Sequence, residues 1–357
     1  MIPYLLCVVP WLTAAAFAAW TRANPAWVDA IFAARWYPFL VRNMTFINRI
    51  RFPVATILTA FAAIWCAAGL IAAVARSFAS RDYRPALKAV CRRITAAGCA
   101  YLLLYALWGA QYSRSRPMSG ATAAVSASYG GEDALPRQCM AWITQANRLA
   151  PRVRAPNSIL SQEPEDILAR VPSAFENARG ALPRLIGMTA PAPKPLGFDS
   201  VFSSLLIEGM YFPFTFEALV NTSVPAIDLP FVACHEAAHA IGYAREDEAN
   251  LIAAIVCAES ADPVFRYSGV MSSLRYGLSA LAARDPGAYW TMLGHMSDGV
   301  RADFINRQQY WRERQQTPLA RFAARVNDFF LVNAAGAEDG ARSYGKVVEL
   351  LREWERE

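Results

Sequence analysis

His235, Glu236 and His239 stand in the order His-Glu-x-x-His, inside the run Cys234–His235–Glu236–Ala237–Ala238–His239. On a helix, residues four apart share a face, so the two imidazoles can point at one ion. Glu236 then lies beside the water that such an ion would hold, where a general base belongs. The chain contains three histidines, and two of them are here. A chance match to the motif is rare in a chain so poor in histidine. The competing reading is a helix with two histidines and no metal, and a third ligand discriminates between the two.

A catalytic zinc takes three protein ligands and keeps a fourth position for water. Gly242 lies three residues past His239, where glycine can adopt the left-handed conformation that ends a helix. After that turn the acids Glu246, Asp247 and Glu248 can swing back toward the ion. Glu246 and Asn250 are four apart and share a helix face, whereas Glu248 is displaced by about 200° from Glu246. Glu246 is therefore the expected third ligand, with Glu248 as the alternative. Asn250 is expected to accept the second ring N–H of one histidine and so hold its tautomer. Cys234 points about 100° from His235 and is assigned to the core.

The chemistry expected is metal-assisted hydrolysis with Zn2+ as cofactor. Zinc lowers the pKa of its water to ~7 and polarises a carbonyl, while Glu236 takes the water proton and passes it to the leaving amine. A donor for the developing oxyanion is also needed. Tyr211, Tyr243, Tyr267 and His295 are candidates, none singled out by spacing.

These residues sit in an unusually apolar chain. Of 357 residues 55% are hydrophobic and 18% charged, which points to membrane segments. Three runs are long enough to span a bilayer, at about 2–20, 53–75 and 94–112. The first lacks a basic leader and a small-residue cleavage site, so it reads as an uncleaved anchor. The segment Arg76–Arg93 carries six Lys/Arg and Thr21–Phe52 carries five. Positive-inside counting places the former in the cytoplasm and everything after Tyr112 outside. The net charge of +6 belongs to these loops, and no basic cluster interleaved with aromatics suggests nucleic acid. Seven cysteines show no CxxC pairing. Any two of Cys139, Cys234 and Cys257 could form a disulfide in an oxidising compartment.

Past the membrane runs, Ser115–Gly131 reads as a tether. Helical patterns follow at about Glu132–Leu149 and Pro164–Leu182, separated by the polar stretch Ala155–Ser161, with a second linker at Ala190–Pro195. Ser203–Asn221 is aromatic and β-branched, broken by Pro213, and reads as one or two edge strands. An extended peptide could pair with such an edge. The remainder is helical, at about Glu248–Ser260, Tyr267–Ala283, Gly287–His295, Val300–Gln316, Leu319–Leu331 and Gly340–Arg356. The expected domains are a membrane anchor over 1–112, a tether with accessory helices over 113–200, and a metal-binding domain over 201–357.

His-Glu-x-x-His followed by Glu-x-x-Ala-Asn at Glu246–Asn250 resembles the gluzincin pattern of zinc peptidases. More of the chain is similar to a family of bacterial membrane proteins of unknown function that carry the motif after three transmembrane helices. The stretches concerned are Asn24–Pro53, Tyr211–Asn221, Leu229–Asn250, Phe265–Gly269 and Gly340–Leu351. The chain departs from the usual pattern in having alanines between the motif histidines, at a position that faces the core. The resemblance implies a mainly α protein in which three N-terminal transmembrane helices precede a zincin-like α+β domain with a small edge sheet. It implies a multi-pass protein of the bacterial inner membrane with its metal-binding domain extracytoplasmic. The expected partners are the lipid bilayer and a peptide or protein substrate. The expected function is a membrane-bound zinc metallopeptidase; the alternative is a non-catalytic sensor or scaffold with a structural metal.

Overall fold

The computed structural model describes residues 6–115, 134–154, 162–182, 188–318 and 320–325. It is mainly helical, with one small mixed sheet of three strands. The chain forms two compact units. One comprises Met1–Ser115 with Phe212–Glu217, the other Arg116–Tyr211 with Ala218–Glu357.

In the first unit, helix α1 spans Val9–Ala23, α2 Tyr37–Asn48, α3 Val54–Ser80 and α4 Arg84–Leu107. Two of these, α3 and α4, are long and apolar enough to cross a membrane. At 1.5 Å per residue they rise about 40 and 36 Å, against ~30 Å of hydrocarbon. Their large apolar side chains face outward, Phe61, Ile64, Ile71 and Phe78 among them. Exposed apolar surface of this extent marks a site of membrane or protein contact.

The expectation of a third span, at about 2–20, is corrected: among the described residues only α3 and α4 are long and apolar enough to cross a membrane. Asn24 leaves helical geometry and ends α1 after 15 residues. Its 15 α-helical residues rise about 22 Å, against ~30 Å of hydrocarbon, and a 3₁₀ turn at Leu6–Val8 precedes them. The span expected at 94–112 is also shifted. Pro85 starts α4 ten residues earlier, and the chain tightens into a 3₁₀ turn over Gly109–Ser113. The basic loop expected at 76–93 is thereby reduced to a turn around Arg81, whose φ is 52°. Its cations sit on the flanking helix ends, and Arg93 reaches from α4 to the Cys66 carbonyl of α3. The expected first loop is not irregular either. It carries a helical turn at Pro25–Trp27, a π-helical stretch at Val28–Trp36, and then α2.

Pro53 cannot continue a helix backwards, so α3 begins with free N–H groups. Glu217 supplies the acceptors. Its carboxylate takes hydrogen bonds from Val54 N (3.1 Å), Ala55 N (2.7 Å) and the Thr215 hydroxyl (2.7 Å). A buried carboxylate at a helix N-terminus also meets the positive end of the helix dipole.

The helices of the second unit are α5 Ala134–Val153, α6 Pro164–Asn177, α7 Asp199–Ser204, α8 Leu229–Ala240, α9 Glu246–Glu259, α10 Pro263–Arg284, α11 Pro286–Gly294 and α12 Asp298–Gln315, and the described residues 320–325 are helical as well. Strands are β1 Lys194–Pro195, β2 Gly209–Phe212 and β3 Glu217–Val220, in the order β1-β3-β2. β1 runs parallel to β3, with Lys194 opposite Leu219. The linker expected at Ala190–Pro195 is thus partly a strand. Pro213 falls in the turn between β2 and β3, where its missing N–H costs no ladder bond. β2 is left at an edge, and β3 is buried along its whole length.

The core is built on α8. Every residue of Leu229–Ala240 except His235 is buried, as befits a helix that is apolar all round. α9 packs beside it, α10 crosses both, and α5 and α6 close the other sides. α9 starts at Glu246 rather than Glu248, because Arg245 is extended and three acids in the first turn suit the N-terminal dipole. α10, α11 and α12 begin at side-chain caps, Asp262, Asp285 and Ser297. The tether at 115–131 (all but Ser115), the stretch 155–161, and the helix expected at 340–356 lie outside the described residues. So does most of that expected at 319–331.

Candidate metal centre

α8 presents His235 and His239 one turn apart, and the chain then reverses. Gly242 has a φ of 102°, a conformation that a side chain would strain. Its N–H bonds the His239 carbonyl at 2.9 Å, and Tyr243 N bonds the Ala238 carbonyl at 3.1 Å. These two bonds satisfy carbonyls that the helix end would leave open. The reversal brings Glu246, the first residue of α9, back over α8.

The resulting spacing is tight. His235 Nε2 and His239 Nε2 are 3.1 Å apart. Glu246 Oε2 lies 3.3 Å from His235 Nε2, and Glu246 Oε1 lies 3.6 Å from His239 Nε2. The three residues form a group whose donor atoms all fall within 4.8 Å. Zinc bonds of about 2.0–2.2 Å at tetrahedral angles set ligand atoms ~3.3 Å apart, so these residues could hold such an ion. Glu248, the alternative acid, is buried but is not a member of this group.

The tautomer of His239 follows from its neighbour. Nδ1 lies 2.6 Å from the Tyr243 carbonyl, which can only accept. Nδ1 therefore carries the proton, and Nε2 keeps its lone pair for an ion. Asn250 was the residue expected to orient a histidine. Its Oδ1 instead accepts from the buried Tyr276 hydroxyl at 3.1 Å. The carbonyl that replaces it comes from the turn after Gly242, and a backbone acceptor of this kind leaves no mark in a sequence motif. His235 Nδ1 is buried and finds no partner among the described residues.

Glu236 points to the other side of the pair and is 5% exposed. Its Oε2 accepts no hydrogen bond among the described residues. Burial, with the charges of Glu246 and Glu208 adding and His235 opposing, pushes its pKa up to about 8. Burial lowers His239 to about 4. For His235, burial is outweighed by the Glu246 carboxylate bonded to it, with Glu236 and Glu208 assisting, and the pKa rises to about 9. Glu246 is likewise held down at about 2 by the two histidines despite its burial. A buried carboxyl poised near neutrality beside two imidazoles and a second carboxylate is a pattern common in functional sites.

Two site residues were not singled out from sequence. Gly209, on β2, lies so close to Glu236 that a Cβ there would sit 2.7 Å from both Glu236 Cγ and Oε1. Glu208, just before it, acts electrostatically on both His235 and Glu236. The run Glu208–Gly209 between two hydrophobic stretches was the available signal, since glycine in a strand marks close approach. The edge strand therefore passes directly over the Glu236 side chain.

Of the oxyanion candidates, Tyr267 donates its hydroxyl to Asp303 at 2.6 Å and is committed there. Tyr243 contributes its carbonyl rather than its ring. His295 is exposed, and its carbonyl accepts from Asn147. Tyr211 lies on β2, two residues from Gly209. Cys234 is fully buried and outside the donor group.

No curated protein and no solved structure matches the chain. A family model described as a protein of unknown function, DUF3810, matches residues 32–352. That span takes in both long apolar helices and the His235, His239 and Glu246 group, and the chain belongs to the DUF3810 family.

Proposed function

We propose that this protein is a membrane-bound zinc metallopeptidase of gluzincin type. The observation that carries the reading is the convergence of His235, His239 and Glu246 within 4.8 Å, beside a buried Glu236 with an unpartnered oxygen. His235, His239 and Glu246 hold the metal. Bound zinc supplies a water of lowered pKa and a Lewis acid for the scissile carbonyl.

The remaining chemistry belongs to the chain's own side chains. Glu236 Oε2 receives the water proton and returns it to the leaving amine. The Tyr243 carbonyl keeps the proton of His239 on Nδ1. β2 offers its open edge to an extended substrate, which then runs past Glu236 because Gly209 carries no side chain. A peptide amide in an extended backbone is the substrate that an edge strand recognises.

The apolar helices α3 and α4 anchor the protein in a bilayer. Their basic turn, with Arg76, Arg81, Arg84 and Lys88, is retained on the cytoplasmic side. With one hairpin crossing twice, both flanks of the hairpin lie on the extracytoplasmic side of the bacterial inner membrane, and the metal-binding unit with them. The alternative of a non-catalytic sensor with a structural metal needs the ligands but no general base. Glu236 favours catalysis.

The test is zinc content and cleavage of a peptide library by detergent-purified protein, wild type beside Glu236→Gln. The expected outcome is about one zinc in each and cleavage by wild type alone. Less than about half an equivalent of zinc in the wild type sinks the metal reading. Equal biological effect of Glu236→Gln, with loss in His235→Ala, sinks the peptidase reading in favour of the sensor.

A further inference from the structure

Two buried thiols flank the metal centre, and the mechanism uses neither. Cys234 precedes His235 on α8, and Cys257 lies on α9, the helix that begins at Glu246. Both are wholly buried free thiols in this structure.

Their positions converge on one point of α10. Phe231 N donates to the Ser268 hydroxyl at 3.0 Å. Phe231 and Cys234 are three apart on α8 and share a face. Gly269, next to Ser268, lies so close to Cys257 that a Cβ there would be 2.5 Å from the Cys257 Cβ. Cys234 and Cys257 are therefore brought to neighbouring positions where α8 and α9 pack against Ser268 and Gly269 of α10. Cys139 is elsewhere. Its Sγ packs where a Cβ on Gly277 would be 2.9 Å away. Gly277 is eight residues along α10 from Gly269, about 12 Å, and a disulfide needs Cα atoms within ~7 Å.

We propose that Cys234 and Cys257 form a disulfide as this unit folds, closing one covalent ring that contains His235, Glu236, His239 and Glu246. The proposal rests on the extracytoplasmic placement given above, because such bonds persist in oxidising compartments. The oxidant is a small-molecule or protein disulfide. Each cysteine gives up one proton and one electron, the S–S bond forms, and the oxidant's own S–S bond is reduced to two thiols. Burial pushes the Cys234 thiol far above its ordinary pKa, with Cys257 adding to the effect. Such a thiol does not exchange once the core has closed, so the bond forms during folding and is then protected.

The structural consequence is local to the metal centre. The ring ties the helix bearing two ligands to the helix bearing the third at a second point, beyond the hydrogen-bonded turn at Gly242. Unfolding at this junction would scatter the ligands, and the bond restricts that opening.

The experiment maps the thiols. Cells expressing the full chain are lysed into N-ethylmaleimide, the protein is purified in detergent and denatured with the reagent present, and its peptides are read by mass spectrometry. The expected result is a Cys234–Cys257 linked pair with Cys139 alkylated. Alkylation of both Cys234 and Cys257, or linkage of either to Cys139, overturns the proposal. A second arm measures thermal unfolding of Cys257→Ala beside wild type, with and without a phosphine reductant in the refolding step. The midpoint of the variant should be lower by roughly 5 °C or more without reductant, and the gap should narrow with it. An equal gap in both conditions marks a packing role and overturns the ring. Neither arm reads peptide cleavage, so failure here is distinguishable from failure of the peptidase assignment.

Discussion

Gly209→Ala should disable the proposed catalysis while leaving the metal centre intact. The added Cβ would come within 2.7 Å of Glu236 Cγ and Oε1 and 2.9 Å of Cδ. Ordinary contact between such atoms is ~3.5–4.0 Å, so strand and carboxylate must separate by roughly 1 Å. Glu236 has little room to retreat. Ala233, Ala237 and Ala240 around it on α8 are buried, and cores of this density do not absorb such a shift locally. A displacement of ~1 Å at a reacting group costs on the order of 10²-fold, and complete loss of a general base costs ~10²–10⁴-fold. The expected fall in kcat lies in that range. The three nearest atoms all belong to Glu236 and none to a ligand, so zinc content should stay near one equivalent. The assay is turnover of whichever quenched peptide the wild type cleaves fastest, with kcat and KM separated and metal measured on the same samples. A rise in KM at constant kcat would show that β2 moved instead of Glu236. A variant with full zinc and both constants within about threefold of wild type refutes the reasoning, because the edge strand then does not bear on the base.

Zinc affinity should depend on pH through His235. Its pKa stands at about 9 without metal, so at pH 7 it carries a proton that the ion must displace. Affinity should therefore rise at least ~tenfold per pH unit between pH 6 and 8, read by competition with a chromogenic chelator, and a flat profile would contradict the pairing with Glu246. Glu246→Gln should weaken zinc binding by ~10²-fold or more, whereas Glu248→Gln should change it by less than ~tenfold; the reverse order would move the third ligand to Glu248. Glu217→Ala removes the acceptor for Val54 N, Ala55 N and the Thr215 hydroxyl. It should lower stability in detergent by about 1–2 kcal/mol, measured by denaturant or thermal unfolding, and an unchanged midpoint would show that water replaces the cap.

The local parts of this protein were readable from residue order alone. The i, i+4 geometry of an α-helix fixes the histidine pair, so His235 and His239 needed nothing beyond spacing. Gly242 was legible because only glycine takes a φ of 102° without strain, and Glu246 followed because it is the first acid after that turn. The long helices α3 and α4 were visible as apolar runs, since lipid and water sort side chains by chemistry. Their full limits were not visible, because Pro85 and the turn at Arg81 act through backbone geometry that hydropathy does not register, as does Asn24 at the end of α1.

Tertiary structure decided the contacts between segments far apart in the chain. Asn250 went to Tyr276 and the tautomer of His239 to the Tyr243 carbonyl, because a backbone acceptor already in place needs no side chain to be ordered. Gly209 met Glu236, and Cys257 met the face of α10 that also receives α8, only through packing of helices and strand against one another. Spacing along one helix is set by covalent geometry and a repeating hydrogen bond, which act within a few residues and so are written in sequence. The approach of one element to another is set by the fit of whole surfaces, and that fit exists only once the chain has folded.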